Sequence, residues 1–241
     1  MKILLGIIIV AGGGSSRYGE KNKLLETIDR VPVFAHSLIN FRNCCPDNQI
    51  VLVCNENYLS AYKNMINVLI PDNKFIFTQG GTTRSYSVIN GLNMLSEKIK
   101  YVAIHDAARP LATSSLLNKC LSSCIANGSG VAAKRITDTL KTADERGKVL
   151  KTIDRSSSWT IETPQMFRFD DIKAAYKYIK EKGITVTDDA GAMEHFGKDV
   201  FLVENQDYNF KITYPMDLPI AEFVCSTLKC MKKTAFFDRT L

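Results

Sequence analysis

The sequence predicts an α/β fold, a Rossmann-like wound and mostly parallel sheet carrying a protruding β-hairpin arm. Three observations carry this. Ile3–Ala11 is an unbroken aliphatic run rich in β-branched residues, the pattern of a strand buried on both faces. Short apolar runs then alternate with amphipathic stretches along the chain, the signature of a parallel sheet wrapped by helices. Finally, two β-like runs flank a polar turn ending in glycine and break that alternation.

In chain order, the strands are expected at Ile3–Ala11, Ile50–Cys54, Lys74–Thr78, Tyr101–His105, Gly130–Lys134 and Val200–Val203. The helices are expected at Val33–Phe41, Leu59–Leu69, Ser85–Leu95, Ser114–Ile125, Asp170–Lys180 and Met216–Lys229. Thr139–Thr142 and Val149–Ile153 form the hairpin around Ala143–Gly147. Its apolar residues Leu140, Val149, Leu150 and Ile153 need cover that a wound sheet does not supply, and a second chain is the simplest source. The reading is one domain over residues 1–224, with the arm at about 137–156, and a basic tail over 225–241.

Composition narrows the class. The chain has 241 residues, 45% hydrophobic and 23% charged, which suits a globular protein and excludes disordered or disulfide-scaffold classes. Net charge is +6, and the segment from Cys225 onward holds four of the basic residues (Lys229, Lys232, Lys233, Arg239) against Asp238. The remaining body is only mildly positive, so a nucleic-acid stripe is not expected. The seven cysteines include no Cys-x-x-Cys, and no His lies near the Cys120/Cys124 or Cys225/Cys230 pairs, so free thiols in a reducing cytoplasm are expected. Lys2 followed by an apolar run imitates an export signal, but the run is too short to span a bilayer and lacks a clear cleavage site. A membrane partner is not expected.

The chemistry concentrates in four places. Gly12-Gly13-Gly14 follows the first strand, where bare backbone N–H groups can approach phosphates, and Arg17 and Lys23 add two cations that can clamp a triphosphate. Lys23 is expected in an exposed loop. The pattern lacks the third glycine of the dinucleotide fingerprint and the Gly-Lys-Ser/Thr of a P-loop. Gly80-Gly81-Thr82-Thr83-Arg84-Ser85-Tyr86-Ser87 reads either as a second backbone nest for a base or ribose, or as a capped helix start. His105-Asp106-Ala107-Ala108-Arg109-Pro110 ends a strand at the edge where open α/β sheets bind ligands. Asp106 could hold Mg²⁺ or pair with Arg109, and His105 is expected to be packed rather than catalytic. Downstream, Thr139, Arg155, Thr163-Pro164-Gln165, Thr187-Asp188-Asp189 and Lys211 recur at loop-like positions suited to a phosphorylated polar substrate, while Asp217 reads as a helix start.

Six motifs in order carry a resemblance. They are Ala11-Gly12-Gly13-Gly14-x-x-Arg17 with Lys23; Gly80-Gly81-x-x-Arg84-x-x-Ser87-Val88-x-x-Gly91-Leu92; His105–Pro110; Thr163-Pro164-Gln165-x-Phe167; Thr187-Asp188-Asp189-Ala190; and Asn209-x-Lys211-Ile212-Thr213-x-Pro215-x-Asp217-Leu218. Together, over about residues 3 to 224, the chain resembles the 2-C-methyl-D-erythritol 4-phosphate cytidylyltransferase family of the non-mevalonate isoprenoid pathway. The resemblance implies CMP transfer from CTP to the sugar-alcohol phosphate with release of pyrophosphate. It implies that Ala11, Gly12, Gly13 and Gly14 bind CTP, with Arg17, Lys23 and Lys211 as the catalytic cations. Gly81, Thr82 and Ser87 would contact the cytosine, with Ala107 nearby. Asp106 would hold Mg²⁺, or another divalent cation, or the sugar phosphate. Arg109, Thr139, Arg155, Thr163 and Thr187 would line the second substrate's site, with Lys211 beside them. It also implies a homodimer in which the arm brings Thr139 and Arg155 to the neighbour's site.

Three positions depart from the family pattern. Asn22-Lys23-Leu24 stands for Pro-Lys-Gln, and Gly191 for a serine. Ribitol-5-phosphate cytidylyltransferase is the nearest rival, and Ala108 with Ser87-Val88 favours the methylerythritol reading. A nicotinamide oxidoreductase would need the missing third glycine. A non-catalytic nucleotide-binding regulator would have no use for Lys23, Asp106 and Lys211 together.

Overall fold

The computed structural model describes residues 4–12, 17–19 and 21–237, with side chains as far as Leu228. The strands are β1 (Leu5–Ala11), β2 (Thr27–Ile28), β3 (Val31–Pro32), β4 (Ile50–Cys54), β5 (Ile76–Gln79), β6 (Tyr101–Asp106), β7 (Ser129–Arg135), β8 (Leu140–Ala143), β9 (Val149–Ile153), β10 (Trp159–Arg168) and β11 (Leu202–Glu204). The helices are α1 (Val33–Phe41), α2 (Glu56–Leu69), α3 (Arg84–Met94), α4 (Ser114–Asn127), α5 (Phe169–Lys182), α6 (Asp189–His195) and α7 (Asp217–Phe237).

Seven strands form one sheet in the order β11-β7-β10-β6-β1-β4-β5. β1 pairs in parallel with β4 and β6, β4 with β5, and β7 with β11. β10 alone runs against its neighbours β6 and β7. The wound, mostly parallel α/β sheet expected from the sequence is therefore present, with one strand reversed at its centre.

The two-residue alternation of β1 explains both cores. Ile7 and Ile9 face one side, where Phe34, Leu38 and Phe41 of α1, Tyr62 of α2 and Leu117 of α4 cover them. Ile8 faces the other, under Val88 and Leu92 of α3 and Ile172, Ala175 and Ile179 of α5. Burying each of the Val, Leu, Ile and Phe side chains among them contributes roughly 1.5–3 kcal/mol. Gly130 of β7 lies against α4, and a Cβ there would fall 2.1 Å from the carbonyl oxygen of Cys120.

The structure changes the expected elements in several places. The Thr163-Pro164-Gln165 motif is not a loop: it lies in β10, next to the register shift between Ile161 and Gln165, and its Thr163–Pro164 bond is cis. α2 begins three residues before Leu59, because Asn55 caps it by accepting from the Asn57 N–H. α7 continues past Lys229 to Phe237, so its backbone crosses the 224/225 boundary without a break. The hairpin is present as β8 and β9, a separate two-stranded sheet. Asp144 builds its turn by accepting from the N–H groups of Arg146 and Lys148, and Gly147 supplies the left-handed residue at φ 82°. Val149 and Leu150 are exposed at the arm's surface.

Candidate active site

The carboxyl ends of β1, β5 and β6 open onto one cleft of about 330 Å³. Gly12 follows β1, Gly80 and Gly81 follow β5, and Asp106 ends β6. A second cleft of about 380 Å³ adjoins it on the β10 side. Arg84, Asp106 and Lys211 line both, and thus form the junction between them.

The first cleft is built by short local devices. Thr83 caps α3 by accepting from the Tyr86 N–H. Ser87, one turn on, donates to the Thr83 carbonyl and accepts from Gly81 N–H at 3.0 Å, which fixes the glycine loop over the helix start. A Cβ on Gly81 would fall 2.2 Å from Tyr86 Cβ, so only glycine fits this approach. Gly12, Gly81, Thr82 and Ser87 line the cleft together with Arg17 and Lys23. The Gly80–Ser87 segment is a capped helix start, and Gly81, Thr82, Thr83 and Ser87 line the cleft.

Lys23 is half-buried rather than exposed, and its Nζ donates to the Ile212 carbonyl at 2.7 Å. Asn22 shapes the chain before it. Its Oδ1 accepts from Leu24 N–H at 3.0 Å, and its Nδ2 donates to the Tyr62 hydroxyl at 3.2 Å. Tyr62 is fully buried and stacked on Phe34 at 4.1 Å. The Asn22 side chain thus pins the turn by hydrogen bonds, and Leu24 fills core space. Burial, then the charges of Lys211 and Arg17, lower the Lys23 pKa from its usual value. An anionic ligand would relieve that repulsion.

Asp106 does not pair with Arg109. Its Oδ1 accepts from Arg84 Nε at 3.3 Å and its Oδ2 from Lys211 Nζ at 2.8 Å. Burial alone would raise its pKa, but Arg84 and Lys211 outweigh it and hold the carboxyl below the usual carboxylate range. Arg109 instead donates to the carbonyls of Asn209 at 2.7 Å and Ile161 at 3.4 Å. Those bonds place it in the second cleft with Thr163 and Thr187. Glu162, which also lines this cleft, accepts from the side chains of Asn205 and Asn209.

β10 ties the two clefts together. Thr163 Oγ1 accepts from Asp106 N–H at 3.1 Å and lies 2.9 Å from His105 Nδ1. His105 Nε2 faces the Arg109 carbonyl at 3.2 Å, and a carbonyl only accepts, so the proton sits on Nε2 and the threonine hydroxyl donates to Nδ1. Burial pushes the His105 pKa down to about 4. This histidine is a neutral, packed strut, as the sequence led one to expect.

The remaining expected site residues fall elsewhere. Gly13 and Gly14 lie outside the described residues. Ala11 and Ala107 are buried in the core beneath the first cleft, and Ala108 lines it instead of Ala107. Thr139 and Arg155 are exposed on the arm and line neither cleft of their own chain. Two residues without an assigned role in the sequence are central: Arg84, and Asp189 behind it, which accepts from both guanidinium nitrogens at 2.8 and 2.7 Å. The Gly80–Ser87 and Thr187–Ala190 motifs contain both, but only the fold shows that they meet. A Cβ on Gly191 would lie 3.2 Å from Asp188 Oδ1, which caps α6 by accepting from the Gly191 N–H.

The 2-C-methyl-D-erythritol 4-phosphate cytidylyltransferase (IspD) family model matches residues 4–227. The chain belongs to this family. It is 35% identical over 228 residues to a protein of that name from Dictyoglomus thermophilum, covering 94% of this chain and 98% of that one. It is 36% identical over 223 residues to another from Trichormus variabilis, covering 92% and 97%. Among solved structures, the 4-diphosphocytidyl-2C-methyl-D-erythritol synthase of Anaerococcus prevotii superposes with a TM-score of 0.80 at 26% identity, over 93% of this chain and 99% of that one. The Thermus thermophilus cytidylyltransferase superposes with a TM-score of 0.76 at 26% identity, over 93% and 98%. The family's fold and the two-cleft geometry therefore coincide in one chain. Among the described residues, no helix is long and apolar enough to cross a membrane.

Proposed function

We infer that this chain transfers CMP from CTP to 2-C-methyl-D-erythritol 4-phosphate, releasing pyrophosphate, as the family it belongs to does. The observation that carries this reading is the pair of adjoining clefts sharing Arg84, Asp106 and Lys211. One cleft has the glycine walls and cations of a nucleoside triphosphate site. The other has the hydroxyls and guanidinium of a polyol phosphate site.

In the reaction, an oxygen of the sugar phosphate forms a bond to the α-phosphorus of CTP, and the bond from that phosphorus to the bridging oxygen breaks as pyrophosphate leaves. The nucleophile is already an anion near neutral pH, so no proton need be removed. Arg17 and Lys23 bind the triphosphate and offset charge that builds on its oxygens, and Lys211 does so from the junction. Gly81, Thr82 and Ser87 hold the cytosine. Thr163, Thr187 and Arg109 orient the second substrate so that attack is in line.

The donor set suits a divalent cation borne by the nucleotide. Mg²⁺ in such sites takes one or two carboxylates plus substrate phosphates, and Asp106 supplies one carboxylate at the junction. Its oxygens keep lone pairs beyond those accepting from Arg84 and Lys211. Bound there, the ion would neutralise phosphate charge.

The arm supports a homodimer. Thr139 and Arg155 stand away from both clefts of their own chain, and the arm's Val149 and Leu150 lack cover, so a second copy is the fitting neighbour. A cytoplasmic setting suits the thiols: Cys44, Cys45, Cys54, Cys120 and Cys124 are free. The deciding experiment is a pyrophosphate-release assay of CTP with methylerythritol phosphate and, in parallel, ribitol 5-phosphate, with and without Mg²⁺. Release with methylerythritol phosphate in the presence of Mg²⁺ is expected. Faster turnover of ribitol 5-phosphate would reassign the second substrate.

A further inference from the structure

Arg84 is the least free side chain of the site. Its two terminal nitrogens meet the two oxygens of Asp189 in a bidentate pair at 2.8 and 2.7 Å, leaving Nε to face Asp106 at 3.3 Å. Asp189 is fully buried, at 0% exposure, and is the first residue of α6. The hydroxyl of Tyr176, on α5 and 1% exposed, donates to the same Asp189 Oδ1 that receives one arm of the guanidinium. A relay of contacts therefore runs from α5 through α6 and α3 to the end of β6. A bidentate arginine–carboxylate pair sets a plane as well as a distance, and a lysine could not reproduce it. An arginine left without such an anchor would keep much of its rotamer freedom, and Asp106 Oδ1 would lose its fixed partner.

We propose that Asp189 and Tyr176 are positioning residues for CMP transfer: they fix the guanidinium plane of Arg84 so that its Nε–H sets Asp106 at the junction of the two clefts. Neither touches the clefts' reacting region; each acts through Arg84. The inference rests on the transfer reaction given above. The rival role for the same contacts is a structural tie between α5 and α6, with no bearing on Asp106.

The two roles separate in a double-mutant cycle. Asp189→Asn and Tyr176→Phe are each made in the natural chain and in an Asp106→Asn background, and kcat for pyrophosphate release is measured at saturating CTP and methylerythritol phosphate. Asp189→Asn is expected to lower kcat by on the order of tenfold to a hundredfold, the scale of a misplaced reacting geometry, and Tyr176→Phe by a smaller factor. In the Asp106→Asn background both losses should vanish, because the residue they position is already gone. Equal fold-losses in the two backgrounds, or no loss in the natural one, would overturn the proposal. If Asp189→Asn does not fold, Tyr176→Phe alone carries the same comparison, since it removes one hydroxyl and keeps the ring in the core. The unmutated chain, run alongside, reports separately on whether the reaction itself occurs.

Discussion

The ammonium of Lys23 donates to the main-chain carbonyl of Ile212 at 2.7 Å, which joins the loop after β1 to the segment carrying Lys211. Two cations that line the first cleft from different parts of the chain are thereby held to one another through a neutral backbone group. Lys23→Ala should lower kcat for pyrophosphate release by about 10²-fold or more, as loss of a charge-stabilising donor does. Its effect on stability should be near 1 kcal/mol, the net worth of one hydrogen bond. Steady-state kinetics and a urea titration on the same preparation check both numbers; near-normal kcat would reduce Lys23 to a loop tether.

Asn22 should prove worth more than a surface amide. Asn22→Ala removes the bond to Leu24 N–H and the bond to the Tyr62 hydroxyl. Roughly 1–3 kcal/mol of stability should go, since Tyr62 is buried and loses its partner. Asn22→Asp, which keeps the acceptor, should retain more activity than alanine. Equal kcat in the two variants would show that the turn does not depend on this side chain.

Gly81→Ala should raise KM for CTP with the fold intact. The added Cβ would meet Tyr86 Cβ at 2.2 Å, so the loop must move off the helix and give up its bond to Ser87. The shift falls on the first cleft and not on the core. Thermal melting and a CTP titration test this; unchanged KM would take the loop out of nucleotide binding.

His105 predicts an acid-side loss of stability. Its folded pKa is pushed down to about 4 from a usual 6.5, so between these values the unfolded chain binds a proton that the folded chain refuses. Stability from this group is therefore complete above about pH 6.5 and falls as pH drops toward 4, by roughly 3 kcal/mol in all at about 1.4 kcal/mol per unit. Asp106 is also depressed, but a carboxylate of that kind acts lower, below its usual 3.8. Urea midpoints from pH 7 to 4.5 should slope downward in the natural chain and flatten in His105→Gln. Parallel slopes would refute the assignment.

If the proposed dimer brings Arg155 to the neighbour's cleft, a mixing test follows. Arg155→Ala and Lys23→Ala chains should each be inactive, and their mixture active. In a mixed dimer one site keeps Lys23 from its own chain and Arg155 from the other, so about a quarter of all sites are intact after random exchange of equal amounts. No recovery after demonstrated subunit exchange would return Arg155 to its own chain's site.

Much of this was legible from residues alone. β1, β4 and β6 read as buried parallel strands because continuous aliphatic runs have few other uses, and the hairpin read correctly because its turn chemistry is local. β10 did not. Thr160, Glu162, Thr163, Pro164 and Gln165 are polar or strand-breaking, and proline normally argues against a central strand. The register shift beside Pro164 and the buried partners of Glu162 and Gln165 resolve that conflict, and both are tertiary. In the site, Lys23, Asp106 and Lys211 converge as their motifs suggested. The Arg84–Asp189 pair could not be seen, because the two residues are 105 apart in sequence and nothing local marks them as partners.

β10 begins at Trp159, beside the arm, and reaches Thr163 under Asp106 within a few residues. Trp159 is stacked by the Arg135 guanidinium at 4.2 Å, so the root of the arm is clamped to the sheet. If a second copy docks on the arm, as proposed, assembly and ligand occupancy would press on opposite ends of one short rod. Thermodynamic linkage makes such a coupling reciprocal: if docking the arm tightens substrate binding, substrate must tighten the dimer by the same factor. Dilution should then weaken affinity before it costs any folded protein, and sedimentation with and without both substrates would show the dimer persisting to lower concentration when the clefts are full.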